Sequence, residues 1–247
     1  MTRDKQGKLL RSCLAACAAL LFLGACGPRA AKSTYPAEAA RTRILFIGNS
    51  YTYFNGGLDR EVRGLAPSSE TARIAASGYS LEDHWKDGAA AARIRAGGWN
   101  FVILQEQSQR PVIARESFYS YSREFEAAIR NSGAKTVLLM TWERPDSIAA
   151  GVTTTNLANA YRAVAAELGA ELAPVGLAFA RSLQGRPDLK LYLEDGHPTA
   201  DGSYLAACVL YAVIFRQTPV GNPFVGPGVK REDAAYLQRV AAETLGF

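Results

Sequence analysis

Five short apolar, β-branched runs alternate with longer stretches of helical spacing, and this alternation most constrains how the chain folds. The runs are Ile44–Ile47, Arg73–Ala76, Phe101–Leu104, Thr136–Met140 and Glu171–Val175. Between them, 58–65, 89–96, 117–131 and 156–168 place apolar residues three and four apart, and the last two stop near Gly133 and Gly169. A strongly apolar helix is expected over 200–215 and an amphipathic one over 231–245. Strands that alternate with helices predict a parallel sheet covered by helices. In open parallel sheets, chemistry lies beyond the carboxyl ends of the strands, so the residues just after each run are where function should be sought.

The first 26 residues read differently. Lys5, Lys8 and Arg11 precede an apolar run, Leu14–Leu23, which is too short to span a bilayer comfortably. The run ends in Leu23-Gly24-Ala25-Cys26, which resembles the lipobox at which diacylglycerol is attached to a cysteine before cleavage. The expected organisation is a lipoprotein signal peptide over 1–26, a flexible tether over 27–40 and a folded domain over 41–247. Gly27 in place of Asp favours, by analogy, the outer membrane, facing the periplasm or the cell surface. Export would remove Cys13 and Cys17 and lipidate Cys26, leaving Cys208 as a buried thiol without a disulfide partner. The leader carries a net +3 of the formal +5, so the mature chain is near neutral. Its basic residues are scattered, which argues against nucleic-acid binding.

Two segments stand out as chemistry. The first strand ends in Gly48-Asn49-Ser50-Tyr51-Thr52, which sets a hydroxyl at the mouth of the sheet, although Asn and Ser also serve as caps there. The chain has two histidines, so a serine nucleophile has few possible bases. His197 lies in Glu194-Asp195-Gly196-His197-Pro198-Thr199, where an upstream carboxylate can hold its Nδ1 proton. His84, in Leu81-Glu82-Asp83-His84-Trp85, is read as lining a loop or the pocket rim. Trp142 and Arg144 either line the cleft or, respectively, pack beneath a loop and pair with a neighbouring acid. Tyr51, Tyr53 and Phe54 form a wall for substrate or seal the core, and Asp201 and Gly202 belong to the helix start. No His/Cys cluster has metal-ligand spacing, so neither a metal nor another cofactor is expected.

Together these segments resemble blocks one and five of the SGNH, or GDSL-like, hydrolase superfamily, with Gly48-Asn49-Ser50 for the usual Gly-Asp-Ser. Ser77-Gly78-Tyr79-Ser80 follows the second strand, where the family places an oxyanion-hole glycine. The third block, usually Gly-x-Asn-Asp, reads Gln105-Glu106-Gln107-Ser108, with Gln107 at the Asn position and Gln105 as a fallback donor. The segments Ile47–Thr52, Leu104–Ser108 and Gly202–Ala207 are similar to a little-characterised bacterial branch. The family acid stands three residues before the histidine, which is Glu194 here; Asp195 keeps the residue type at a spacing of two. The reading leans to Asp195 and leaves both open.

The resemblance implies a flavodoxin-like three-layer α/β/α sandwich on a five-stranded parallel sheet. It also implies acyl transfer, in which Ser50 attacks an ester carbonyl, His197 takes the proton, and Ser50, Gly78 and Gln107 stabilise the oxyanion. The expected substrate is a small-molecule or polysaccharide ester, foremost an O-acetyl group, with the membrane reached through Cys26 and no obligate protein partner. A lysophospholipase or thioesterase, an acyltransferase, and a non-catalytic glycan-binding lipoprotein are the alternatives.

Overall fold

The computed structural model describes residues 41–247; the expected signal peptide and tether, and Cys26 with them, lie outside the described residues. Strand β1 (Arg43–Gly48) is hydrogen-bonded on one side to β2 (Glu70–Ala75) and on the other to β3 (Phe101–Leu104). The sheet continues through β4 (Lys135–Leu139) to β5 (Glu171–Ala173), giving the order β2-β1-β3-β4-β5 with every pair parallel. This is the flavodoxin-like order, in which chain connections leave β1 in opposite directions and open a crevice beyond its carboxyl end.

Side chains of a strand alternate between faces, and the central strands bury both. Ile44 and Phe46 of β1, Ile103 of β3 and Val137 and Leu139 of β4 join one core. Leu45 and Ile47, Val102 and Leu104, and Leu138 and Met140 join the other. The first face is covered by α2 (Leu58–Leu65), α8 (Val175–Gly185), α9 (Ala200–Phe215) and α10 (Arg231–Leu245). The second is covered by α3 (Leu81–Asp87), α4 (Ala89–Arg95), α6 (Arg115–Asn131) and α7 (Thr154–Leu168). Packed against α2, α8, α10 and β5, α9 is buried nearly all round, which explains its lack of a polar face. Cys208 is fully buried within it, and burial pushes its thiol well above the usual range.

Three departures from the expected elements have physical reasons. Strand β2 begins at Glu70 rather than Arg73, because an edge strand is partly solvated and its first residues need not be apolar. Strand β5 ends at Ala173 rather than Val175, because Pro174, which lacks an N–H, caps α8 instead. The helices α1 (Ser50–Tyr53), α3, α5 (Arg110–Ile113) and α8 have no counterpart among the expected helices; the first three span seven residues or fewer, which gives periodicity little to act on. The start of α3 is still marked by a capping box, in which Ser80 Oγ accepts from the Asp83 N–H and the Asp83 carboxylate accepts from the Ser80 N–H.

Candidate active site

Ser50 is the first residue of α1, immediately beyond β1. Asn49 caps the helix by accepting the Tyr51 N–H at 3.1 Å through its side-chain oxygen, and its amide donates to Tyr79 O at 2.9 Å. The capping residue therefore also ties the turn after β1 to the Ser77–Tyr79 loop after β2. A carboxylate could do the first but not the second. From the end of β3, Gln105 Oε1 accepts the Asn49 N–H at 2.9 Å and the Thr52 hydroxyl at 2.8 Å. Gly48 is glycine because a Cβ there would overlap Thr52 Oγ1 and Gln105 Oε1.

His84 stands beneath this turn. Its Nε2 lies 2.7 Å from Gly48 O, a carbonyl that can only accept, so Nε2 carries the proton. Burial lowers its pKa, against the charged form of the ring. The expectation that His84 lines a loop or the pocket rim is thus corrected: it is an interior residue that fixes the end of β1.

His197 reaches the site from the other end of the fold, through a tight turn closed by the Tyr192–Pro198 bridge and by Leu193 N–H donating to His197 O at 2.8 Å. Gly196 takes a positive φ of 84° in that turn, where a Cβ would overlap the Arg144 side chain. The imidazole stacks on Phe54, with ring centroids 4.2 Å apart, and meets the edge of Tyr51. Tyr51 in turn stacks on Trp142, whose indole N–H donates to Gly196 O at 3.2 Å. Asn55, from the turn after α1, donates to Pro198 O at 2.8 Å. These contacts bring His197 Nε2 to 2.8 Å from Ser50 Oγ across 147 positions of sequence.

On the far side of the ring, Asp195 Oδ2 stands 2.9 Å from Nδ1, out of line with the ring N–H, and Oδ1 accepts the His197 backbone N–H at 3.1 Å. That N–H, and then the imidazole, hold the Asp195 carboxyl below its ordinary pKa. Asp195 is therefore the acid in contact with His197. Glu194 is exposed and lines, with Asp195, Lys190, Tyr192 and Leu193, a groove of about 780 Å³ on the outer side of the turn.

A pocket of about 190 Å³ opens over Ser50 and is lined by Asn49, Ser50, Tyr51, Ser77, Gly78, Gln107, Ser108, Arg144 and His197. Gly78 adopts a positive φ of 71° with open space where a Cβ would point, so backbone conformation rather than crowding calls for glycine. Gln107 keeps its amide at the pocket, where Nε2 lies 3.3 Å from Ser108 Oγ while Oε1 accepts the Gln109 N–H at 3.0 Å. Gln105, the fallback donor, is buried and outside the pocket lining: its oxygen holds Asn49 and Thr52, and its NH₂ donates to Glu106 O at 2.6 Å. The pocket thus joins the ends of β1, β2, β3 and β4 to the turn before α9. The roles that sequence reasoning missed, those of Ser108, of the donating amide of Asn49 and of Gln105 and His84 as supports, all belong to residues that stand on or touch strand ends, which is the signal that could have found them.

A sheet of this order, with a hydroxyl, an imidazole and a carboxylate in a row over its β1/β3 crevice, defines the class: a three-layer α/β hydrolase. Among solved structures, a protein from Slackia heliotrinireducens described as an SGNH hydrolase is 30% identical, covering 70% of this chain and 99% of its own at a TM-score of 0.63. A DUF4886 family protein from Bacteroides uniformis is 16% identical, covering 84% of this chain and 95% of its own at 0.66. An acetyl xylan esterase is 15% identical, covering 70% of this chain and 99% of its own at 0.56. No family model matches the chain, nor does any curated protein. The chain belongs to the SGNH hydrolases.

Proposed function

We propose that this hydrolase is a serine esterase that removes short acyl groups, foremost acetyl, from carbohydrate outside the cytoplasm. The observation that carries the reading is the 2.8 Å approach of Ser50 Oγ to His197 Nε2, with Asp195 Oδ2 2.9 Å from Nδ1. In the proposed reaction, Ser50 Oγ bonds to the ester carbonyl carbon while its proton passes to Nε2, and the carbonyl oxygen becomes an oxyanion. The backbone N–H groups of Ser50 and Gly78 and the amide of Gln107 are the donors assigned to that oxyanion. Collapse breaks the bond to the alcohol, which leaves with the proton from His197. Water, deprotonated by the same nitrogen, then frees the acid and restores Ser50.

A short acyl group is favoured by the small size of the 190 Å³ pocket over Ser50. Acetylated carbohydrate is also the substrate in the name of one fold relative, the acetyl xylan esterase. The extracytoplasmic setting is supported by the leader and lipobox ending in Cys26. Loss of palmitate labelling in Cys26→Ser would support the anchor, and unchanged labelling would refute it. The test of the chemistry is p-nitrophenyl acetate turnover. Wild type is expected to release nitrophenol, and Ser50→Ala to lose about 10⁴-fold or more in kcat. Equal rates would end the serine mechanism and leave a glycan-binding scaffold. A wild type faster on long acyl esters than on acetate would replace acetylesterase with lipase or thioesterase.

A further inference from the structure

Arg144 is the one permanently charged residue in the lining of the 190 Å³ pocket, and no carboxylate accompanies it there. It reaches the site from the loop after β4 and is held on several sides. Nη1 donates to Asp195 O at 3.0 Å and lies 3.4 Å from the Tyr51 hydroxyl, while Nη2 donates to Asp146 Oδ2 at 2.9 Å. Gly196 packs against its Cδ and Nε. The side chain is 13% exposed, whereas that of Asp146 is 57% exposed and lies outside the pocket lining. Of the five N–H donors a guanidinium carries, these contacts engage three; Nε is buried and has no partner among the described residues, so one Nη2 hydrogen is left for a ligand. Water screens the exposed Asp146 pair, so that pair only partly neutralises the charge that Arg144 brings to the pocket.

A guanidinium already fixed in the pocket lining loses little freedom when it binds a carboxylate, which it can meet with a charge-assisted hydrogen bond from the remaining Nη2 hydrogen. A neutral ester would gain nothing from it. We propose that Arg144 selects substrates, so that the preferred ester is one whose alcohol portion carries a carboxylate, as an O-acylated sugar acid does. This rests on the esterase reading, and the same residue would also steady the turn that carries Asp195.

The two roles differ in what they predict. Selection makes the effect of Arg144 depend on substrate charge, and a purely structural role does not. The test measures kcat/KM of the full chain, wild type, Arg144→Gln and Arg144→Lys, on an O-acetylated uronic acid and on the corresponding neutral O-acetyl hexose. The wild type is expected to prefer the acid. Arg144→Gln should lose at least about 10-fold more on the acid than on the hexose, Arg144→Lys should fall between, and high salt should narrow the preference. A measurement that needs no variant is inhibition of wild-type p-nitrophenyl acetate turnover, where the free uronic acid should inhibit more strongly than the hexose. Equal losses on both esters, or equal inhibition by acid and hexose, would overturn the proposal while leaving the esterase standing. Absence of turnover on every acetyl ester, p-nitrophenyl acetate included, would remove both.

Discussion

Replacing Asp195 with Ala removes the carboxylate that touches His197, and its position on the surface sets how much activity should be lost. In the proposed attack His197 becomes an imidazolium, whose charge the adjacent carboxylate stabilises. In sites where the acid is buried, disabling it costs about 10⁴-fold in kcat. Here the Asp195 side chain is 63% exposed. Raising the effective dielectric from about 20 towards about 80 weakens a charge pair about four-fold, so four decades contract towards one. The ring is also held without the acid, by Phe54 at 4.2 Å, by Tyr51 and by the Leu193–His197 backbone bond. Asp195→Ala should therefore lower kcat on p-nitrophenyl acetate by about 10-fold to 100-fold with little change in KM, because the acid acts as charge develops. Glu194→Ala, which alters a carboxylate facing the outer groove, should change kcat less than about two-fold. Full activity in Asp195→Ala, or a larger loss in Glu194→Ala, would refute the assignment. A loss near 10⁴-fold would show that exposure does not weaken the pair.

Asn49→Asp keeps an oxygen to cap α1 but sets a carboxylate oxygen against Tyr79 O in place of a donor. The Gly78 loop should then shift, with kcat/KM falling by about 10-fold and the unfolding midpoint falling as well; an unaltered kcat/KM would show that this tie does not position the loop. Burial pushes the carboxyls of Glu61 and Glu106 up to about 7, well above the ordinary 4.5. Between about pH 4.5 and 7 the folded state then binds more protons than the unfolded chain, so stability should fall as pH rises through that window, by at most about 3 kcal/mol for each group. Denaturant titrations from pH 5 to 8 should show this slope in wild type and a flatter profile in Glu61→Gln/Glu106→Gln; an equal slope in both would refute it.

How legible each part was follows from the range over which its signal acts. The central strands announce themselves because residues such as Ile44–Ile47 are buried on both faces, and a short, unbroken apolar run closed by a Gly-bearing turn is the pattern such burial requires. Helices α2, α9 and α10 are bounded in the structure as the periodicity predicts. The segments around Ser50 and His197 were visible because each follows a local pattern, a strand end in one case and a helix start in the other. Whether Glu194 or Asp195 meets the imidazole was not legible: adjacent acids in a turn differ only in direction, and Gly196 with its positive φ decides which one folds back. His84 was misplaced for a related reason, because its partner, Gly48 O, is a backbone atom 36 positions away that leaves no trace in residue types.

By itself, then, the order of residues determined the layered architecture and singled out the few side chains proposed for acyl transfer, because burial and periodicity act over a few neighbouring positions. The tertiary structure alone decided which of those side chains meet. The approach of Ser50 to His197, the choice of Asp195 and the entry of Arg144 into the pocket depend on segments brought together by packing, and atomic distance across a folded chain is not written in any local stretch of it.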